Sequence, residues 1–178
     1  MTTLRYPVTE SDHLQGNRSA AVTLLEYGDY ECPFCGKAYL TVKKIQEEFG
    51  DKINFVFRNF ALTKIHPHAF LAAVSTEAAA KQNAFWEMHD LVFEHQSKLS
   101  RDLIVSLAEQ LNLDKEQFLS DIEDETLKEK VENDFMTGIR SGVNATPSFF
   151  INGEKLEAPG VFISLKNAIN KALENAAE

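Results

Sequence analysis

Apolar and polar positions change period several times along this chain, and each change marks an element. Residues 1–20 are polar and aperiodic, with a turn at Gly16-Asn17-Arg18-Ser19. Residues 21–27 are then apolar except near their end, which predicts a buried strand. From Pro33 onward Phe34, Ala38, Val42, Ile45 and Phe49 recur every three or four positions, the stripe of one helix face. Gly50 follows where a helix C-terminus favours a left-handed residue. Residues 53–58 alternate around aromatic and β-branched side chains, a second strand. Strand, helix and strand in so short a span make a βαβ unit, which requires parallel pairing.

Residues 63 to about 141 read as almost wholly helical. An Ala-rich stretch covers 68–81, and Phe85, Met88, His89, Val92 and Phe93 form a further stripe. Ser100 is placed to cap a helix carrying Leu103, Leu107 and Leu111, and Asp114 with Gln117 has the spacing of a capping box. Leu127, Val131, Phe135 and Ile139 continue the helical period as far as Gly142. Residues 148–151 and 154–156, joined by Asn152-Gly153, predict a β-hairpin, for which Asn-Gly is the strongest short signal. A final amphipathic helix carries Phe162, Leu165, Ile169 and Leu173. The predicted order is βαβ, a helical block, then ββα.

A chain of 178 residues is long enough to bury a core without disulfide staples. The net charge of −9 argues against non-specific nucleic-acid binding. No apolar run approaches the ~20 residues of a membrane span. Residues 1–7 hold neither an apolar core nor a small-residue cleavage site, so a cytoplasmic protein is expected; a removed leader replaced by Met would leave the same sequence on a periplasmic one.

Both cysteines of the chain, Cys32 and Cys35, lie in Asp29-Tyr30-Glu31-Cys32-Pro33-Phe34-Cys35-Gly36, between a strand and a helix. Two thiols one helical turn apart can close a disulfide and reopen it, passing two electrons per cycle. Cys32 is expected at the helix N-cap with Pro33 at the first helical position, where its missing N–H does no harm. The free N–H groups of Phe34 and Cys35, with the helix dipole, then favour negative charge on the Cys32 sulfur. Cys35 is deeper and keeps the higher pKa. Phe34 adds neither donor nor charge, so the expected Cys32 pKa lies below ~8.5 but short of the ~3.5 extreme. A zinc site would need His66 or His68 as well, since His13, His89 and His95 are scattered; a proline between cysteines at a helix start suits redox chemistry better, and no metal is expected.

The motif, with His66-Pro67-His68-Ala69, Phe85-Trp86-Glu87-Met88-His89-Asp90 and Gly142-Val143-Asn144-Ala145-Thr146-Pro147-Ser148-Phe149-Phe150-Ile151-Asn152-Gly153, resembles the DsbA-like branch of the thioredoxin superfamily. It is most similar to cytoplasmic-type DsbA-like domains that occur alone or fused to sodium–proton antiporters. The resemblance implies an α/β thioredoxin fold with an inserted α-helical domain: residues 1–62 and 142–178 form a discontinuous thioredoxin-like domain and residues 63–141 the insertion. It implies a cis Thr146–Pro147 bond against the Cys32 sulfur, with the backbone just before the proline pairing with an extended substrate peptide. Pro33, Phe34, Thr146 and Pro147 are therefore the expected substrate-binding residues.

Glu26, six residues before Cys32, falls where the superfamily keeps a buried acid beneath the disulfide. Desolvation should raise its pKa and let it exchange a proton with Cys35. Asp29 and Glu31 are expected to be exposed, with Glu31 opposing thiolate formation at Cys32. Phe85 and Trp86 should pack within the helical domain, and His66 and His68 match the family pattern without an assigned chemical role. The implied activity is that of a protein-disulfide oxidoreductase acting on protein or peptide thiols and disulfides, with Cys32, Cys35 and Glu26 catalytic and no bound cofactor. Glutathione and a thioredoxin-type protein are the candidate redox partners, and a non-catalytic peptide-binding module or chaperone is the alternative. Periplasmic oxidants of the wider family usually carry His where this chain has Phe34, which places the expected potential below ~−150 mV, on the side of a reductant or isomerase.

Overall fold

A five-stranded sheet of order β1-β3-β2-β4-β5 runs through the computed structural model, which describes residues 2–157 and 162–177. The strands are β1 (His13–Gly16), β2 (Val22–Gly28), β3 (Ile53–Asn59), β4 (Ser148–Ile151) and β5 (Glu154–Lys155). β2 and β3 pair in parallel across helix α1 (Pro33–Phe49), and the other pairs are antiparallel. β2 is central and covered on both faces, which explains its nearly continuous apolar sequence. Alternation still sorts its side chains. Val22 and Leu24 enter the larger core with Phe55, Phe57 and the α1 residues Ala38 and Val42. Leu25 and Tyr27 face the other way, with Val56, Phe60 and Phe150. By parity Glu26 lies on the α1 side, flanked in register by Phe57 and Phe149.

Between β3 and β4 run α2 (Ala69–Ala80), α3 (Phe85–Glu94), α4 (Arg101–Gln110), α5 (Lys115–Asp121) and α6 (Glu125–Arg140); α7 (Phe162–Ala176) packs against α1 and the sheet. α2 is small-residue-rich and buried almost all round, as a helix without a polar face must be. The Ser100 hydroxyl accepts from the Leu103 N–H at 3.1 Å, and Asp114 from the Gln117 N–H at 2.8 Å. Gln117 turns its amide to Asp121 at 2.9 Å instead of back to the cap, so only half of the capping box forms. Asn152 and Gly153 both have positive φ (49° and 83°), the conformation a two-residue hairpin turn demands.

The fold departs from the sequence pattern in four places. β1 lies in the segment read as aperiodic; its four residues are held at the sheet edge by pairing with β3, from His13 opposite Phe57 to Gly16 opposite Asn54. Residues 63–68 form a turn and loop, not helix. Phe34 is 66% exposed, and Cys35 and Tyr39 complete the buried α1 stripe in its place. α6 buries Val131, Asp134 and Gly138, leaving Ile139 at 46% exposure. Gly138 lets the helix approach the Phe60 and Tyr27 rings, and Asp134 accepts the Asn59 N–H at 3.1 Å.

Candidate active site

Cys32 is the N-cap of α1, in extended conformation (φ −73°, ψ 121°), and Pro33 is the first helical residue. Both cysteines are free thiols. The Thr146–Pro147 bond is cis, and the Cys32 thiol donates to the Thr146 carbonyl at 3.6 Å. The Cys32 pKa is lowered to about 5. The hydrogen bond from the Cys35 thiol is the main cause; it outweighs burial, and the Thr146 side chain and the N–H groups of Cys35 and Phe34 add to it. The Thr146 hydroxyl is buried and has no other hydrogen-bond partner. Cys35 is fully buried, and burial pushes its thiol well above the ordinary range; the bond to Cys32 and the charges of Glu26 and Cys32 push it the same way. The helix start thus separates an acidic thiol from a resistant one.

Glu26 is 2% exposed, and burial raises its pKa to about 8, with the Cys32 charge as a second cause. Its Oε1 has no hydrogen-bond partner. A cavity of about 10 Å³ adjoins it, lined among others by Gln15, Tyr39, Lys43, Gln46 and His89. That is near the minimum that holds one water. Gln46 donates to Gln15 at 2.8 Å along the same cavity wall.

Asp29 and Glu31 are not the exposed acids their sequence context predicts. The Asp29 side chain has no solvent exposure: Oδ1 accepts the Glu31 N–H at 2.7 Å, and Oδ2 accepts the Leu62 N–H at 2.8 Å and meets His66 Nδ1 at 2.8 Å. Glu31 accepts the His68 N–H at 2.7 Å and meets His68 Nδ1 at 3.1 Å, which turns its carboxyl toward a partner and away from unopposed contact with Cys32. Gln96, just after α3, donates to the carbonyls of Tyr30 (2.9 Å) and Cys32 (2.7 Å). The Tyr30 hydroxyl lies 2.8 Å from His89 Nδ1; burial pushes that histidine well below its ordinary pKa and keeps it neutral. Trp86 reaches beyond the helical segment, its ring 5.6 Å from that of Phe55 in β3. The signal for the histidine contacts was present as His66-Pro67-His68; what the pattern did not contain was their partners, over thirty positions earlier in the chain. Among the described residues no three His, Cys, Asp or Glu side chains are grouped as metal ligands.

A family model described as thioredoxin matches residues 8–171. The chain is 38% identical over 167 residues to the Na(+)/H(+) antiporter NhaA 3 of Salinispora tropica, covering 94% of this chain and 26% of that protein. It is 39% identical over 147 residues to NhaA of Herminiimonas arsenicoxydans, covering 83% and 23%. The chain therefore spans about a quarter of the length of these curated relatives. Among the described residues no helix is long and apolar enough to cross a membrane. Oxidised BdbD from Bacillus subtilis superposes with a TM-score of 0.84 at 26% identity, covering 94% of this chain and 96% of that one. Wolbachia pipientis alpha-DsbA1 does so at 0.82 and 25%, covering 98% and 96%. With its helical segment between β3 and β4 and its cysteine pair at the start of α1, the chain belongs to the thioredoxin family and has the DsbA-like form of its fold.

Proposed function

We propose that the chain exchanges disulfides with protein or peptide substrates through Cys32 and Cys35, with Glu26 as the proton carrier. The Cys32 thiolate attacks one sulfur of a substrate disulfide; that S–S bond breaks, and the second substrate sulfur leaves as a thiolate and takes a proton. Cys35 then loses its proton, attacks the Cys32 sulfur and expels the first substrate sulfur, so the substrate gains two electrons and the protein becomes the disulfide. Run backwards, the same steps oxidise a dithiol. Forming the mixed disulfide removes the Cys32 charge, one of the two causes that raise Glu26. Glu26 then ionises more readily, at the moment when Cys35 must give up a proton. The adjoining cavity offers a route for that proton to exchange with solvent.

Phe34 and Pro33 beside the sulfur, with Thr146 and Pro147 opposite, are the surface for an extended substrate segment. In the same reading residues 1–62 and 142–178 are the thioredoxin-like domain and 63–141 its helical insertion, and the protein works in the cytoplasm with glutathione or a thioredoxin-type partner. The observation that carries the reading is the asymmetry of the pair, Cys32 at the helix N-cap against the Thr146 carbonyl and Cys35 one turn deeper and fully buried. Cys35→Ser is expected to accumulate mixed disulfides on Cys32, and Cys32→Ser to accumulate none and to lose catalysed insulin reduction. Mass spectrometry of trapped adducts checks this. Adducts on Cys35 would reverse the roles, and chaperone activity that survives Cys32→Ser in a protein without reductase activity would replace the enzyme by a peptide-binding module.

A further inference from the structure

One residue reaches both cysteines through its main chain. The Asp29 N–H donates to Cys35 Sγ at 3.4 Å, and the Asp29 carbonyl accepts the Cys32 N–H at 3.2 Å. Its side chain is the point at which this segment is tied to the rest of the molecule. Both carboxyl oxygens are shut away from water and take the N–H groups of Glu31 and Leu62 together with the His66 ring. A buried carboxyl stripped of a donor loses free energy unless it finds another, and the nearest remedy is to turn or to move its backbone. A backbone shift changes the direction of the Asp29 N–H. That direction matters for the chemistry. Burial, the Cys32 sulfur and Glu26 all oppose a negative charge on Cys35, whereas the Asp29 N–H favours it.

We propose that His66 is a positioning residue for the resolving step: its bond to the buried Asp29 carboxyl holds the Asp29 N–H on Cys35 Sγ and so sets how fast Cys35 attacks the mixed disulfide. Pro67 disfavours helical backbone at His66 and so narrows the approaches open to its ring. Glu31 and His68 brace the same segment from the adjacent position, while His66 holds Asp29 itself, the residue whose N–H meets Cys35.

The inference rests on Cys35 being the resolving thiol, and one experiment separates the two. Reduced protein is mixed with dithionitrobenzoate, whose thiolate is coloured. Attack by Cys32 releases the first thiolate, and attack by Cys35 on the mixed disulfide releases the second. His66→Ala is expected to slow the second phase about ten- to a hundred-fold while leaving the first within about two-fold. His66→Asn, which keeps a side-chain N–H donor, should restore most of the second phase. A merely structural role would lower thermal stability in both variants without separating the phases. An unchanged second phase in His66→Ala, or His66→Asn as slow as His66→Ala, overturns the proposal. If His66→Ala does not fold, Asp29→Asn decides: a slowed second phase supports the assignment and an unchanged one ends it. A second phase that persists in Cys35→Ser would instead remove the resolving role of Cys35.

Discussion

Glu26 is an ionisable group placed where charge is least welcome, between Phe57 and Phe149 on the α1 side of the central strand. An acid whose pKa is raised on folding holds its proton more tightly in the native state than in the unfolded chain. Its stabilising contribution is therefore complete below the ordinary value of 4.5 and is lost as pH rises toward about 8. Between pH 4.5 and pH 7 the reduced wild type should lose on the order of 3 kcal/mol relative to Glu26→Gln. The Gln amide has its own buried N–H groups to satisfy, at about 1–3 kcal/mol, so the pH dependence of the difference is the diagnostic quantity, not its value at one pH. Urea denaturation of both proteins across this range checks it; parallel curves would show that Glu26 is not held protonated. In turnover the same substitution should slow resolution by Cys35 about 10²-fold near neutral pH and flatten the pH–rate profile.

At the scale of elements, α6 shows how close packing can outrank hydrophobic period. Its apolar stripe predicts Ile139 inward, yet the helix rolls so that Gly138 meets the sheet. A Cβ at position 138 would stand 2.7 Å from Phe60 Cδ2 and 3.1 Å from Tyr27 Cδ1, both rings fully buried. Gly138→Ala gains about 1 kcal/mol of helix propensity and incurs about 1–3 kcal/mol of overpacking. A net loss of up to about 2 kcal/mol, read as a lower urea midpoint with unchanged slope, is expected. Equal or greater stability would mean that α6 can shift without penalty. β1 illustrates a related limit. His-Leu-Gln-Gly has no strand period of its own, and its pairing with β3 comes from a neighbour about forty positions away in the chain.

For the whole molecule the open quantity is redox poise. A Cys32 pKa lowered to about 5 lies between the ~7 and ~3.5 of motif thiols whose potentials are ~−270 and ~−120 mV, which places this potential between those limits. A potential below ~−150 mV in a glutathione pool at about −220 mV would keep the pair mostly dithiol, which suits a reductant or isomerase. Phe34→His should add a donor beside the thiolate, stabilise the reduced form and raise the potential. Equilibration with glutathione buffers measures both proteins. A wild-type value near −120 mV would overturn the reducing assignment and point to a protein oxidant.

Whatever depends on near neighbours is legible along the chain: the strand–helix–strand start, the Asn152-Gly153 hairpin, the caps at Ser100 and Asp114, and the placing of Cys32 and Pro33 at a helix start. These follow from side-chain period and backbone chemistry within a few residues. The burial of Glu26 was implied by the family resemblance, which places a buried acid six residues before Cys32. The partners of Asp29 and Glu31, the edge strand β1 and the roll of α6 come instead from contacts between distant segments. An acid in a turn reads as solvated until a donor from a distant loop closes on it, because its burial belongs to that encounter and not to its own segment.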